Sequence, residues 1–199
     1  MKRFIIAMAL VVFMTGAVSA EGMMFGIKGG LNMANITGDL EDTKMKMAFG
    51  GGVWVNFAVT ETFSIQPELF LMNKGVKADI DEDAGIKLSY IDIPILGKFS
   101  VPTEGNFGFN FFGGPYIGFL MSAEAYYEDE EEDIKDFTES LDYGLVFGAG
   151  FDYMLESGCI TFDARYALGL ANLAKDDEGD DESIKNAGIQ ILVGYGFAF

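Results

Sequence analysis

The residues able to do chemistry in this chain are carboxylates, one thiol and a few glycine clusters. Asp79-Ile-Asp-Glu-Asp83 resembles the opening of an EF-hand calcium loop, but its sixth position is Ala84 where the sharp turn needs Gly, and its twelfth is Tyr90 where a bidentate Glu should close the shell. The runs Glu128–Asp133 and Asp176–Glu182 could gather divalent ions loosely, although a solvated acidic loop is the simpler reading. Gly29-Gly30 and Gly148-Ala-Gly150 are not phosphate cradles, because no helix follows a strand there. They suit strand curvature or close packing instead. Cys159 stands alone, unable to close an internal disulfide and without a neighbouring activating motif. The chain has no histidine, which removes the usual general base, the Ser-His and Cys-His nucleophile pairs and the commonest zinc ligand. No catalytic residue, metal site or cofactor is therefore expected, and the protein does not read as an enzyme.

The elements that would position these groups follow from composition and periodicity. Half of the 199 residues are apolar and the mean hydropathy is +0.22, yet the formal charge is −18. Nineteen Phe, eight Tyr and eleven Met exclude a disordered acidic chain. Thirteen Lys and Arg against 31 Asp and Glu would repel phosphate backbones, so no nucleic-acid partner is expected. Residues 1–20 carry Lys2 and Arg3, an apolar run and a Val18-Ser19-Ala20 ending, the pattern of a secretory signal peptide. Its removal takes the charge from −18 to −20 and leaves residues 21–199 as one domain.

Beyond that segment the apolar period is two. From Cys159 to Leu170, Ile160, Phe162, Ala164, Tyr166, Leu168 and Leu170 alternate with Thr161, Asp163, Arg165, Ala167 and Gly169. Seven further stretches, about 23–34, 46–59, 63–76, 86–100, 106–122, 141–154 and 188–199, follow the same rule, which is that of strands with one apolar face. Short connections at 59–62, 102–106 and 156–158 alternate with long ones at 35–45, 77–85, 123–140 and 172–185, and the long set holds 22 of the 31 acids. This predicts an all-β, eight-stranded, antiparallel up-and-down transmembrane β-barrel with short periplasmic turns and long acidic extracellular loops. A soluble barrel or sandwich is the competitor, but the more polar face here is also rich in Gly and Ala, which suits a crowded small-barrel interior.

Turning the apolar parity toward lipid places Lys28, Asn32, Trp54, Asn56, Gln66, Glu68, Asp92, Lys98, Asn110, Tyr116, Asp142, Asp152, Asp163, Arg165 and Gln190 inside. Buried charges need partners, so the expected core is one polar plug in which Lys28, Lys98 and Arg165 interleave with Glu68, Asp92 and Asp163. The alternative is a narrow cation-preferring porin lined by the same residues. Phe25, Phe57, Phe63, Phe99, Phe107, Phe151, Tyr153, Phe197 and Phe199 fall outward near strand ends, as an interfacial aromatic belt would.

The chain resembles the PorT-type outer-membrane β-barrel domain of small porin-family proteins of Gram-negative bacteria. The resemblance rests on Gly26-Ile-Lys-Gly-Gly-Leu-Asn-Met-Ala34, Phe63-Ser-Ile-Gln-Pro-Glu-Leu69, Tyr90-Ile-Asp-Ile-Pro-Ile-Leu96, Gly113-Gly-Pro-Tyr-Ile-Gly118, Phe147-Gly-Ala-Gly-Phe151 and Arg165-Tyr-Ala-Leu-Gly-Leu170. It implies the cell outer membrane as location, with outer-membrane lipid and lipopolysaccharide as surroundings. Tyr195, Phe197 and Phe199 look like the terminal signal read by the barrel assembly machinery. Divalent cations or external ligands are the partners expected at the acidic loops.

Overall fold

The computed structural model describes residues 23–38, 43–79, 83–101, 103–128, 130–174 and 183–198. The expected signal peptide, residues 1–20, much of the acidic loops (39–42, 80–82, 129 and 175–182) and Phe199 lie outside the described residues. The described chain is built from strands β1 (Met23–Gly38), β2 (Thr43–Ala58), β3 (Phe63–Ala78), β4 (Ala84–Val101), β5 (Phe107–Tyr127), β6 (Glu130–Asp133), β7 (Leu141–Leu155), β8 (Gly158–Gly169) and β9 (Ile184–Ala198). All of them but β6 pair antiparallel in a ring, β1-β2-β3-β4-β5-β7-β8-β9, which β1 and β9 close from Met24↔Ala198 to Gly38↔Ile184. Closure leaves no unpaired edge for lipid to desolvate.

The strands run further at the long-loop end than the apolar alternation predicts. β1 continues from Ala34 to Gly38 against Ile184–Gly188, and β5 continues past Ser122 to Tyr127, where it folds back on β6. Residues 123–140 are therefore partly a β-hairpin rather than a loop. Above the bilayer the outer face of a strand meets water in place of lipid, so the polar/apolar alternation fades while backbone pairing persists. Two register shifts sit in this region, between Met45 and Gly50 on β2 and between Ser89 and Tyr90 on β4. Gly75, at φ +121°, is in a conformation that favours glycine.

The outward parity is apolar. Ile27, Phe49, Val53, Leu71, Phe109, Phe111, Phe147 and Val193 are each 50–68% exposed, a surface that only lipid would cover. Near the short turns, outward aromatics pair across strands, Phe25 stacking on Phe197 at 5.0 Å and Phe107 meeting Tyr153 edge-on at 4.9 Å. Phe57 departs from the expected belt. It shares the outward register, flanked by Met23 and Ile65, but only 8% of it is exposed.

Inside, the long-loop end is apolar. Leu88, Tyr90, Leu120, Ala123 and Leu173 form a buried cluster, with Ile86, Ile134 and Ile184 packed against it. Leu173 comes from the β8–β9 connection and is held by its own N–H donating to the Ile184 carbonyl and by its carbonyl accepting from Glu139 N–H, both at 2.8 Å. The backbone here extends the wall between β7 and β9, and the Leu173 side chain projects inward at the mouth of the barrel.

Candidate functional site in the barrel interior

Below that apolar cap the lumen is filled by charged side chains in three layers. The middle layer centres on Arg165 of β8, whose guanidinium donates to both Glu68 carboxylate oxygens (2.5 and 2.8 Å) and to Asp163 Oδ2 (2.6 Å). β3 and β8 stand four places apart in the eight-strand ring. The Arg165–Glu68 pair therefore spans the lumen. Lys28 of β1 donates to Asp163 at 2.6 Å and lies 3.7 Å from Glu68, so two cations and two carboxylates close into a neutral group. Gln66 Nε2 supplies a further bond to Glu68 at 2.7 Å. The guanidinium also packs near the Phe70 and Phe112 rings, at 5.7 and 5.2 Å from their centroids, and Lys28 near Trp54 at 5.2 Å. Such bidentate, fully desolvated bonds are the strong kind.

The layer toward the long loops is organised by a lysine that is not among the side chains expected inside. Lys74 of β3 donates to Asp92 at 3.1 Å and to Asp142 at 3.0 Å. Asp142, completely buried, also accepts from the Tyr116 hydroxyl at 3.1 Å and from Asn186 Nδ2 at 2.9 Å. Lys74 sits at 4.5 and 4.7 Å from the Tyr90 and Tyr116 ring centroids. Toward the short turns, Lys98 donates to Asp152 at 2.6 Å.

The six residues expected to form one plug are all buried inside, but they do not form one network. Lys28, Glu68, Asp163 and Arg165 meet; Asp92 belongs to Lys74 and Asp142, and Lys98 belongs to Asp152. The physical reason is distance along the barrel axis. Strand residues advance about 3.3 Å each, so Glu68 and Lys74 on β3, or Asp92 and Lys98 on β4, are too far apart to share a partner. Lys74 was legible all the same, since it shares the even parity of Gln66 and Glu68 on β3.

Glycines shape the space around these groups. A Cβ on Gly26 or Gly196 would stand 2.5 or 2.6 Å from the Trp54 ring, so the indole fits only because both are glycine. Two cavities of about 10 Å³ adjoin these groups, one bounded by Asn32, Lys74, Tyr116, Asn186 and Gln190 and the other by Asp92, Tyr116, Arg165 and Gln190. Each has room for one water and no larger solute. Cys159 is buried, and among the described residues no group of three or more His, Cys, Asp or Glu side chains is gathered as for a metal ion. Tyr195 and Phe197 sit on the outer face of β9, in edge contact at 4.8 Å.

A different charged set lies on the outer wall at the long-loop end. Lys46 donates to the Ile86 carbonyl at 3.1 Å and approaches the Tyr126 ring centroid to 4.6 Å, while Lys87 approaches the same ring to 4.8 Å and pairs with Glu131. Burial, together with the Lys87 and Lys77 ammonium groups, brings Lys46 down to a pKa of about 8. The Lys87 ammonium holds Glu131 below the usual carboxylate range, and Glu131 in turn raises Lys87.

A closed eight-stranded ring with an apolar exterior, a salt-bridged lumen and long connections at one end is the architecture of an outer-membrane barrel. The family described as outer membrane protein beta-barrel domain matches residues 19–175. The chain belongs to that family. It is an integral protein of the cell outer membrane. No curated protein matches it in sequence. Among solved structures, Neisserial surface protein A is 12% identical with a TM-score of 0.58, over 90% of this chain and all of that one. Ail, the attachment invasion locus protein of Yersinia pestis, is 13% identical with a TM-score of 0.49, over 88% of this chain and 99% of that one. The outer membrane protein OprG from Pseudomonas aeruginosa is 16% identical with a TM-score of 0.48, over 89% and 97% of the two chains. These likenesses concern the fold. Family and fold together account for the lipid-facing parity and the closed ring, whereas the three charged layers are read from this chain's own residues.

Proposed function

We propose that this outer-membrane barrel, of the PorT type, is a non-enzymatic structural and surface-interaction protein that conducts no solute and whose loops meet external ligands. The observation that carries this is the Arg165–Glu68 pair, which joins opposite walls of the lumen. The apolar cluster around Leu173 supports it by covering the mouth above. A cation entering from outside would have to displace Leu173, then cross a layer holding Lys74 and another holding Lys28 and Arg165. Each step desolvates it beside fixed positive charge. The buried charged side chains of these layers are paired with one another at 2.5–3.1 Å, which ties them to structural roles. The interior therefore reads as the element that holds the barrel rigid.

Planar-bilayer recording of the purified protein tests this. Absence of steady open-channel current under symmetric potassium chloride is expected, and a large steady conductance would establish the narrow cation-preferring porin in its place. The external ligand is sought at the loops, where removing residues 124–139 should abolish surface binding and leave the barrel folded. Titration with calcium or magnesium at millimolar concentration decides whether the acidic runs bind divalent ions. Tyr195, Phe197 and Phe199 are proposed as the segment that the assembly machinery reads.

A further inference from the structure

The exposed cations of this protein are distributed unevenly along the barrel axis. Of the Lys and Arg in the described residues, Lys28, Lys74, Lys98 and Arg165 are buried in the lumen, and all the others, Lys44, Lys46, Lys77, Lys87, Lys135 and Lys185, lie at the long-loop end. The short turns contain Glu61, Glu104 and Glu156 and no cation. Three of the outer lysines converge on the wall itself. Lys87 and Lys77 alternate with the buried Leu88 and Val76, so their side chains point away from the lumen. Lys46 reaches from β2 to the Ile86 carbonyl of β4, passing the side-chain-free Gly75 that pairs with Lys87 on the intervening strand. Directly below them the wall is apolar, with Met47, Leu71 and Met121 each 51–65% exposed.

We propose that Lys46 and Lys87, which approach the Tyr126 ring just beyond the lipid-facing band, and the neighbouring Lys77 bind a phosphate group of an outer-leaflet lipid. The position is the depth at which a lipid headgroup meets the protein, with its acyl chains against Met47 and Leu71. The charge is complementary. Lys46 forms no ion pair among the described residues, and the field at its ammonium is set more by Lys87 and Lys77 than by Glu124 and Glu131. A phosphate would relieve that repulsion and accept from several N–H donors at once. Glu131 pairs with Lys87 across Tyr126, and the exposed Glu130, Glu132 and Asp133 of β6 lie beside β5 on the side away from Lys46. These acids disfavour an extended polyanion arriving from solution and leave room for a compact phosphate monoester. The inference concerns the outer wall and holds whether or not the lumen conducts.

The full-length protein, reconstituted in phosphatidylcholine nanodiscs with phosphorylated lipid A or with lipid A stripped of its phosphates, provides the test. Native mass spectrometry counts the glycolipid that remains bound. The phosphorylated form should be retained about tenfold more than the stripped form, and K46Q/K77Q/K87Q should lose that preference, since each lysine near an anionic headgroup contributes comparably. K135Q/K185Q, which removes cations elsewhere at the same end, should retain it. The folded state of each variant is checked by its resistance to heat on gel electrophoresis, and the single K46Q, expected to weaken retention about threefold, serves if the triple variant does not fold. Equal retention by the triple variant and the parent, or equal retention of the two glycolipids, would overturn the proposal. Displacement of lipid A by millimolar inorganic phosphate would also overturn it and assign the site to free phosphate.

Discussion

Replacing Arg165 with Ala removes three charge-assisted hydrogen bonds at one stroke, two to Glu68 and one to Asp163. What remains is Lys28, 2.6 Å from Asp163 and 3.7 Å from Glu68, so a neutral group of four becomes a buried group with one surplus negative charge. Glu68 keeps only the neutral Gln66 amide as a close donor. Breaking a buried ion pair from one side costs about 3–5 kcal/mol, because the orphaned charge stays desolvated. Loss of the long side chain adds an interior void beside Phe70 and Phe112. We therefore expect R165A to lower unfolding stability by about 4 kcal/mol, and R165A/E68Q, in which Lys28 and Asp163 balance again, to recover about half of that. The assay is urea unfolding in phospholipid vesicles followed by fluorescence of Trp54, the chain's single tryptophan and 3% exposed beside Lys28. Comparable denaturant slopes make the midpoints comparable. A loss below about 1 kcal/mol, the range of solvated surface pairs, would refute the reasoning. So would a double variant less stable than R165A, since both results require water to screen the lumen.

Lys74→Met should destabilise about as strongly, by 3–5 kcal/mol, because Asp92 and Asp142 lose their shared cation; adding D142N should restore part of the loss in the same unfolding assay. Gly26→Leu forces atoms into the Trp54 ring and should cost about 1–3 kcal/mol while shifting the tryptophan emission maximum; an unshifted spectrum would mean the indole lies elsewhere. Lys87→Gln breaks the exposed pair with Glu131 and the exposed contact with the Tyr126 ring and should leave the unfolding midpoint within about 1 kcal/mol of the parent, in contrast to both interior variants. Replacing Tyr195, Phe197 and Phe199 together by Ala should reduce the folded, heat-modifiable fraction in the outer membrane of cells and leave refolding of the purified chain into vesicles intact.

The ring and its inward set were legible in the sequence because a bilayer enforces strict parity. Ile160, Phe162, Tyr166 and Leu168 can face only lipid, and Thr161, Asp163, Arg165 and Ala167 then have only the lumen. Pairing inside that lumen was not legible, because parity says which way a side chain points and nothing about its height. Height depends on strand tilt and register, and these placed Glu68 opposite Arg165 and Asp92 beside Lys74. The same cause hid the cap and the outer wall. Beyond the bilayer the constraint that makes alternation visible is gone, so Ile36, Ile184 and Tyr126 were read as parts of loops although they pair as regularly as the strands below them. Charge was misleading for a related reason. A net of −18 describes the chain as a whole, while among the described residues four cations are neutralised in the lumen and the others stand at one end, three of them on the outer wall above the lipid-facing band. The outer wall around Tyr126 thus sets Lys46, Lys77 and Lys87 beside Glu124 and Glu131, and this local arrangement, rather than the total charge, decides which headgroup can rest against it.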